Sequence, residues 1–235
     1  MSDNLVLVFD LETIPDVHAY AAAAGLLGHP EQTVRQQMGD KFPRQIFHRI
    51  ACVGSLLAAR GADGIWRPSE LEAPHLGERQ ERELIQDFVD RIAALKPRIV
   101  TFNGASFDLP VLRYRAMIHA IGAPGLSARP YFDRTAGDTL DLCDLLSNYD
   151  NHHRVSLNQL ARVLGLPGKP EGVDGSAVET LFNEGRIAEI AAYCRSDVIN
   201  TYRVWLRYEL FRGALGEVEF AASESELSAF LGRPS

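Results

Sequence analysis

The chain has 235 residues, 46% hydrophobic and 23% charged, enough apolar material to bury one large α/β core. It starts Met-Ser-Asp-Asn with no basic stretch ahead of an apolar run, and no apolar run approaches the roughly 20 residues that cross a bilayer, so a cytoplasmic protein is expected. Cys52, Cys143 and Cys194 are odd in number and lack metal-ligand spacing, which reads as reduced thiols, and a net charge of −7 argues against a protein that clamps duplex nucleic acid by its phosphates.

Residues 5–9 (Leu-Val-Leu-Val-Phe) are apolar throughout, the pattern of a strand covered on both faces. Residues 13–48 are polar in their second half and read as either a helical insertion or a mobile flap. A strand follows over 50–58. Gly61-Ala62-Asp63-Gly64 then turns the chain into a third strand around Ile65 and Trp66, making a hairpin. Apolar residues at Leu84, Ile85, Phe88, Val89, Ile92 and Leu95 give a helical period over 78–95. After Pro97 comes a strand over 99–102 that ends at Asn103. Ser106 is placed to cap a helix running to about Ile121, with Pro110 tolerated in its first turn. A short fifth strand is expected over 139–142, and helices over 156–164, 177–183 and 187–211. The acidic, Ser-, Gly- and Pro-containing end from about 216 to 235 is expected to pack loosely. Three antiparallel-type strands followed by strand–helix alternation predict one α/β domain over 1–235, an RNase H-like mixed sheet flanked by helices.

Asp10 and Glu12 follow the first apolar run and stand two apart, so an extended chain puts both carboxylates on one face. There they repel each other and resist desolvation, penalties that a cation would relieve. Tyr193 and Asp197 stand four apart on a predicted helix and share its face, where a charge among apolar residues asks for a partner. Asp108 lies near a helix start, where the dipole favours an anion by roughly 0.3–1 kcal/mol, so this acid alone requires no metal. Asn103, at a strand end, is placed either to bond a nearby loop or to touch a substrate sugar, and Phe107 either to fill core or to stack on a base.

Taken together, Phe9-Asp10-Leu11-Glu12-Thr13, Asn103-Gly104-Ala105-Ser106-Phe107-Asp108 and Tyr193-Cys194-Arg195-Ser196-Asp197 resemble the three motifs of the DEDD superfamily of 3′–5′ exonucleases. The subgroup is the one with tyrosine in the third motif, and the match is to stand-alone relatives of the family-B DNA polymerase proofreading domain. The surrounding Phe-Asp-Leu-Glu-Thr-Ile-Pro, and Asp-Gly-Ser at 174–176, agree with it. The resemblance implies a catalytic set of Asp10, Glu12, Asp108, Tyr193 and Asp197, with the four acids holding two Mg2+ or Mn2+ ions. Asp10 would bridge both ions, Glu12 and Asp197 would complete the shell of the nucleophile's ion, Asp108 would steady the other, and Tyr193 would orient the attacking water. Such a site releases nucleoside 5′-monophosphates from single-stranded 3′ ends, DNA favoured over RNA, with Asn103 and Phe107 as substrate contacts. With no polymerase region in the sequence, proofreading or repair would need a partner in trans. Two rivals stand beside this reading: a non-catalytic nucleic-acid-binding module of the same fold, and a small-nucleotide phosphohydrolase.

Other polar groups suggest less. His152-His153 lacks a third ligand nearby, His119 sits late in a helix, and the loop 166–175 has no Walker spacing. Lys169 is either a solvated loop lysine or within reach of a substrate phosphate. Asp138, Asp141 and Asp144 form a second acidic cluster; Asp141 lies on a candidate strand, where it either supports the metal site from behind or serves the fold alone, and it is not assigned to the metals.

Overall fold

The computed structural model describes residues 4–39, 41–168 and 177–233; Lys169 and the Asp-Gly-Ser of 174–176 lie outside the described residues. Five strands form one sheet in the order β3-β2-β1-β4-β5. β1 (Leu5–Pro15), β2 (His48–Arg60) and β3 (Trp66–Glu72) are antiparallel neighbours, whereas β4 (Arg98–Thr101) and β5 (Thr139–Asp141) run parallel to β1.

β1 continues well past the apolar run that announces it, and Asp10 and Glu12 are therefore strand residues. Its two faces serve different layers. Leu7, Phe9 and Leu11 join the core beneath α3 (Glu81–Leu95) and α4 (Asp108–Ile118). Val6 and Val8 join a second core with Val198, Tyr202 and Trp205 of α8 (Ile187–Phe211). Because side chains alternate along a strand, Asp10 and Glu12 extend the second face and look towards α8. The register between β1 and β2 shifts after Glu12, which pairs with Cys52 while Thr13 pairs with Ile50. A bulge there strengthens twist and re-aims the strand end.

The approach of α8 depends on one glycine. Asp10 pairs with Gly54 of β2, and a Cβ on Gly54 would come within 2.6 Å of Cys194 Sγ and 3.0 Å of Val198 Cγ2. Without a side chain at 54, the helix settles against the sheet with Tyr193 and Asp197 beside the end of β1.

The stretch 13–48 takes the helical alternative. α1 (Val17–Ala24) is capped by Asp16, whose carboxylate accepts from Ala19 N at 2.8 Å, and α2 (Glu31–Met38) follows. A single 3-10 turn, Gln45–Phe47, leads into β2, with Phe47 packed edge-on against Tyr20. Arg35 of α2 ties the insertion to Glu179 on α7 (Val178–Asn183).

Two expectations are corrected. Ser106 does not cap α4: the helix begins at Asp108, no side chain caps it, and the Ser106 hydroxyl accepts from Arg134 Nη2 at 2.8 Å. A backbone turn does the work, with Ser106 N and Phe107 N both donating to the Asn103 carbonyl, and Asn103 held at φ 69°. The C-terminal stretch is not loose either. Residues Glu217–Leu231 form α9, which buries Leu227 completely and uses the buried Ser223 hydroxyl to accept from Trp66 N at 3.0 Å. Its Glu226 pairs with Arg67 on the exposed edge of β3. An edge strand needs such a cover, and serine at 223 is the polar group that the unpaired Trp66 N–H requires.

Overpacking between sheet and helix typically costs about 1–3 kcal/mol. Gly54→Ala is therefore expected to lower the melting temperature by roughly 2–4 °C per kcal/mol lost. Adding Cys194→Ala removes the nearest clashing atom and should restore part of that loss, a positive coupling readable in a double-mutant cycle; strictly additive effects would reject the contact.

Candidate active site

At the end of β1 the molecule opens into a cleft of about 500 Å³, bordered by Asp10, Glu12, Asn103, Phe107, Asp108, Tyr193 and Asp197 together with Arg154. Three stretches separated by roughly 90 residues of chain thus meet at one place. β1 delivers Asp10 and Glu12, the turn between β4 and α4 delivers Asn103, Phe107 and Asp108, and α8 delivers Tyr193 and Asp197 on one stripe. All seven residues predicted for the site line this cleft.

Burial makes the acids costly. Glu12, Asp108 and Asp197 are 7%, 4% and 6% exposed, and Tyr193 is 3% exposed. Asp10 Oδ2 lies 3.6 Å from Cys194 Sγ, and ligand atoms of Asp10, Glu12 and Cys194 all fall within 4.8 Å of one another. Burial, the thiol of Cys52 and the neighbouring carboxylates push the Cys194 thiol well above its ordinary pKa. The thiol donates to Asp10 Oδ2, and the acids that border the cleft offer hard carboxylate oxygens. That donor set fits Mg2+ or Mn2+.

Asp108 is the hinge between strand and turn. Its Oδ1 accepts from Leu11 N at 2.9 Å, which fixes the carboxylate against β1 midway between Asp10 and Glu12 in the chain. Burial pushes its pKa up to about 7, against the lowering by the Leu11 N–H. The acidic cluster of 138, 141 and 144 separates into three structural roles. Asp138 pairs with Arg129. Asp141 is buried and accepts from the backbone N–H groups of Asn103, Ala105 and Cys143 at 2.8, 2.8 and 3.0 Å, pinning the turn that carries Asn103. Asp144, 1% exposed, holds the guanidinium groups of Arg134 and Arg154. His152 and His153 are exposed, and His119 bonds Glu81 at 2.9 Å, away from the cleft.

Arg154 is the site residue that sequence reasoning missed. It lies in the polar loop beside His152-His153, with no motif around it. Its Nη1 donates to Asn103 Oδ1 at 2.8 Å while Nη2 pairs with Asp144. The buried Asp144 thereby aims a cation at the wall of an acidic cleft, and that signal exists only in three dimensions.

A carboxyl whose pKa rises from 3.8 unfolded to about 7 folded holds its proton more tightly in the native state. Its contribution is present below the unfolded value and is lost as pH climbs from about 4 to about 7. Asp108→Asn keeps an acceptor for Leu11 N and discards the charge. In chelator at pH 7 the variant is expected to melt higher than the parent, by roughly 2–4 °C for each kcal/mol relieved, and the gap should close near pH 4. A gap independent of pH would reject the buried-carboxyl account.

Residues 40–235 match the family described as "predicted 3′-5′ exonuclease related to the exonuclease domain of PolB"; the match takes in Asn103, Asp108, Tyr193 and Asp197, and Asp10 and Glu12 precede it. Among solved structures, the chain is similar to the family B DNA polymerase of the hyperthermophilic archaeon Pyrobaculum calidifontis, at 19% identity and TM-score 0.55, over 88% of this chain and 24% of the polymerase. The chain thus spans about a quarter of that polymerase, and the likeness establishes the fold, an RNase H-like mixed sheet flanked by helices. A weaker likeness, at 14% identity and TM-score 0.41 over 86% of this chain and 43% of the other, is to E. coli exonuclease I in complex with a 5cy-dT13 oligonucleotide. No curated protein matches. Matched over most of its length, the chain belongs to the family of predicted 3′–5′ exonucleases related to the exonuclease domain of family-B DNA polymerases.

Proposed function

We propose that the protein is a metal-dependent 3′–5′ exonuclease that removes nucleoside 5′-monophosphates from single-stranded 3′ ends, DNA in preference to RNA. The observation that carries this reading is the convergence of Asp10, Glu12, Asp108, Tyr193 and Asp197 on one cleft. Asp10, Glu12, Asp108 and Asp197 would hold two Mg2+ or Mn2+ ions. When bound, such ions lower the pKa of water and steady a departing 3′-oxygen.

The chain's own groups do the rest. The Tyr193 hydroxyl, fixed by a ring packed with Ile190 and Cys194, orients the attacking water by hydrogen bonding. Arg154, steadied by Asp144, offsets the charge of the phosphate at the scissile bond. Asn103, restrained by Arg154 and by Asp141, presents its amide to the terminal sugar. The intact set of acids and the tyrosine weigh against a non-catalytic binding module. The openness of the cleft weighs against a phosphohydrolase for small nucleotides, which would enclose its substrate.

Asp10→Ala is expected to abolish hydrolysis and weaken Mn2+ binding in calorimetry, while leaving the metal-free melting temperature unchanged or higher because like-charge repulsion falls. Tyr193→Phe keeps the packed ring and should bind metal normally while losing roughly 10–10³-fold in rate. Full activity in Tyr193→Phe beside a dead Asp10→Ala would remove the tyrosine from the mechanism and leave the metals. Full activity in both would assign the cleavage to a contaminant.

Substrate geometry gives a separate test. An acidic chain has little capacity to clamp a duplex, so 5′-labelled single strands should shorten faster than blunt duplexes in Mg2+. Equal rates on the two, or cleavage of closed circular single strands, would reject an exonuclease.

A further inference from the structure

Phe42, in the segment between α2 and β2, is 75% exposed. It does not stand alone: its centroid lies 4.7 Å from the His48 ring and 5.4 Å from that of Phe107, and His48 meets Phe107 edge-on at 5.0 Å. His48 is 2% exposed and held from both sides, with Nε2 3.1 Å from the Pro43 carbonyl and Nδ1 2.9 Å from Thr13 Oγ1. A carbonyl only accepts, so Nε2 carries the proton and Nδ1 accepts from the threonine hydroxyl, which fixes the ring plane. Phe107 borders the acidic cleft, and Phe42 borders a second cavity of about 550 Å³ that also touches Thr13, Lys41 and His48. The aromatic trio is the wall between the two. Arg35 at the second cavity is occupied by Glu31 and Glu179, whereas exposed Lys41 brings an ammonium group to it.

We propose that Phe42, braced by Phe107 and His48, is a base-stacking platform for a nucleotide upstream of the one in the cleft, with Lys41 meeting the adjoining phosphate. The proposal rests on the exonuclease reading of the cleft and adds the path of the strand behind it. A rigid, solvent-exposed aromatic face accepts any base, because every base has a π face. Paired bases hide those faces inside the duplex, so the platform selects an unpaired strand. The insertion 13–48, which contributes no acid to the centre, acquires a role in this way. The rival account is plain apolar packing, in which Phe42 only shields Phe107 and any large aliphatic side chain would serve.

The test is fluorescence anisotropy of a 5′-fluorescein-labelled dodecathymidylate with the full chain, using Ca2+ in place of Mg2+, for the parent and for Phe42→Ala, Phe42→Leu, Phe42→Trp and Lys41→Ala. Phe42 is exposed, so these substitutions leave the core packing alone. Phe42→Ala and Phe42→Leu are expected to weaken binding roughly 5- to 100-fold, the usual range for one lost base–aromatic stack, with Phe42→Trp close to the parent. Lys41→Ala should reduce the slope of log affinity against log salt by about 0.7, one phosphate on a single strand. Equal affinity in all Phe42 variants, parental affinity in Phe42→Leu, or no binding by the parent would overturn the platform. A parallel assay keeps the two ideas apart: turnover of the p-nitrophenyl ester of thymidine 5′-monophosphate in Mg2+ by the parent. Oligonucleotide binding that depends on Phe42 without ester or strand hydrolysis would sustain the platform and sink the exonuclease reading. Hydrolysis of both substrates with binding indifferent to Phe42 would do the reverse.

Discussion

Everything at the cleft depends on how closely α8 lies against the sheet. The contact is made where Gly54 of β2 faces Cys194 and Val198, and it is tight enough that a single methyl group would collide. Asp10 is the strand neighbour of Gly54, and Tyr193 and Asp197 flank Cys194 on the helix. One glycine therefore sets the distance between the acids of β1 and Asp197 of α8. The Cys194 thiol, donating to the Asp10 carbonyl and carboxylate at 3.6 Å, occupies space that a larger polar group would not share. Cysteine behaves here as a small buried hydrophobe with a weak donor.

Burial has an electrostatic consequence. Desolvation raises a carboxylate's pKa, and a neighbouring carboxylate raises it further. Burial, and after it the nearby Asp141, raises the pKa of Asp108, and the fold tolerates the cost because Leu11 N gives the carboxylate a fixed partner. Asp141, also buried and also raised by desolvation, is tolerated for a different reason: three backbone N–H groups meet it. Two neighbouring buried acids thus divide the labour. One faces the cleft and would be relieved by a cation, while the other is satisfied by backbone and shapes the turn.

Asp10, Glu12 and Asp197 were legible in the sequence because they obey a local periodicity, two residues apart on a strand or four from Tyr193 on a helix, whereas Asp108, an acid at a helix start, was picked out only by the motif around it. The length of β1 was not. Its apolar signal ends at Phe9, whereas pairing with β2 carries it to Pro15, since a strand end at a polar site need not look like a strand. The missing cap at Ser106 has a similar cause. Serine before a helix is a local preference, and here the hydroxyl is claimed by Arg134, far along the chain. The tail from 216 was misread because α9 is weakly amphipathic and covers a sheet edge rather than filling a core; only Ser223 and Leu227 are buried. Arg154 and Phe42 were out of reach altogether, because their significance lies in what they touch.

The net charge of −7 can now be read locally. The acidic cleft would repel a polyanion if nothing opposed it, and among the described residues Arg154 and Lys41 stand where they can oppose it. Arg154 is locked by Asp144, itself almost fully buried, so that the guanidinium faces the cleft with its geometry fixed. Lys41 stands at the neighbouring cavity on a flexible stem. On the proposed exonuclease reading, a rigid cation at the reacting phosphate and a flexible one further along would suit a substrate placed accurately at its end and loosely elsewhere. Between them lies an aromatic wall, indifferent to charge and to base identity. On that reading such a surface would have little hold on a duplex, whose grip comes from many phosphates at once, and the same scarcity of cations that makes the chain acidic would favour a single strand presented end-first.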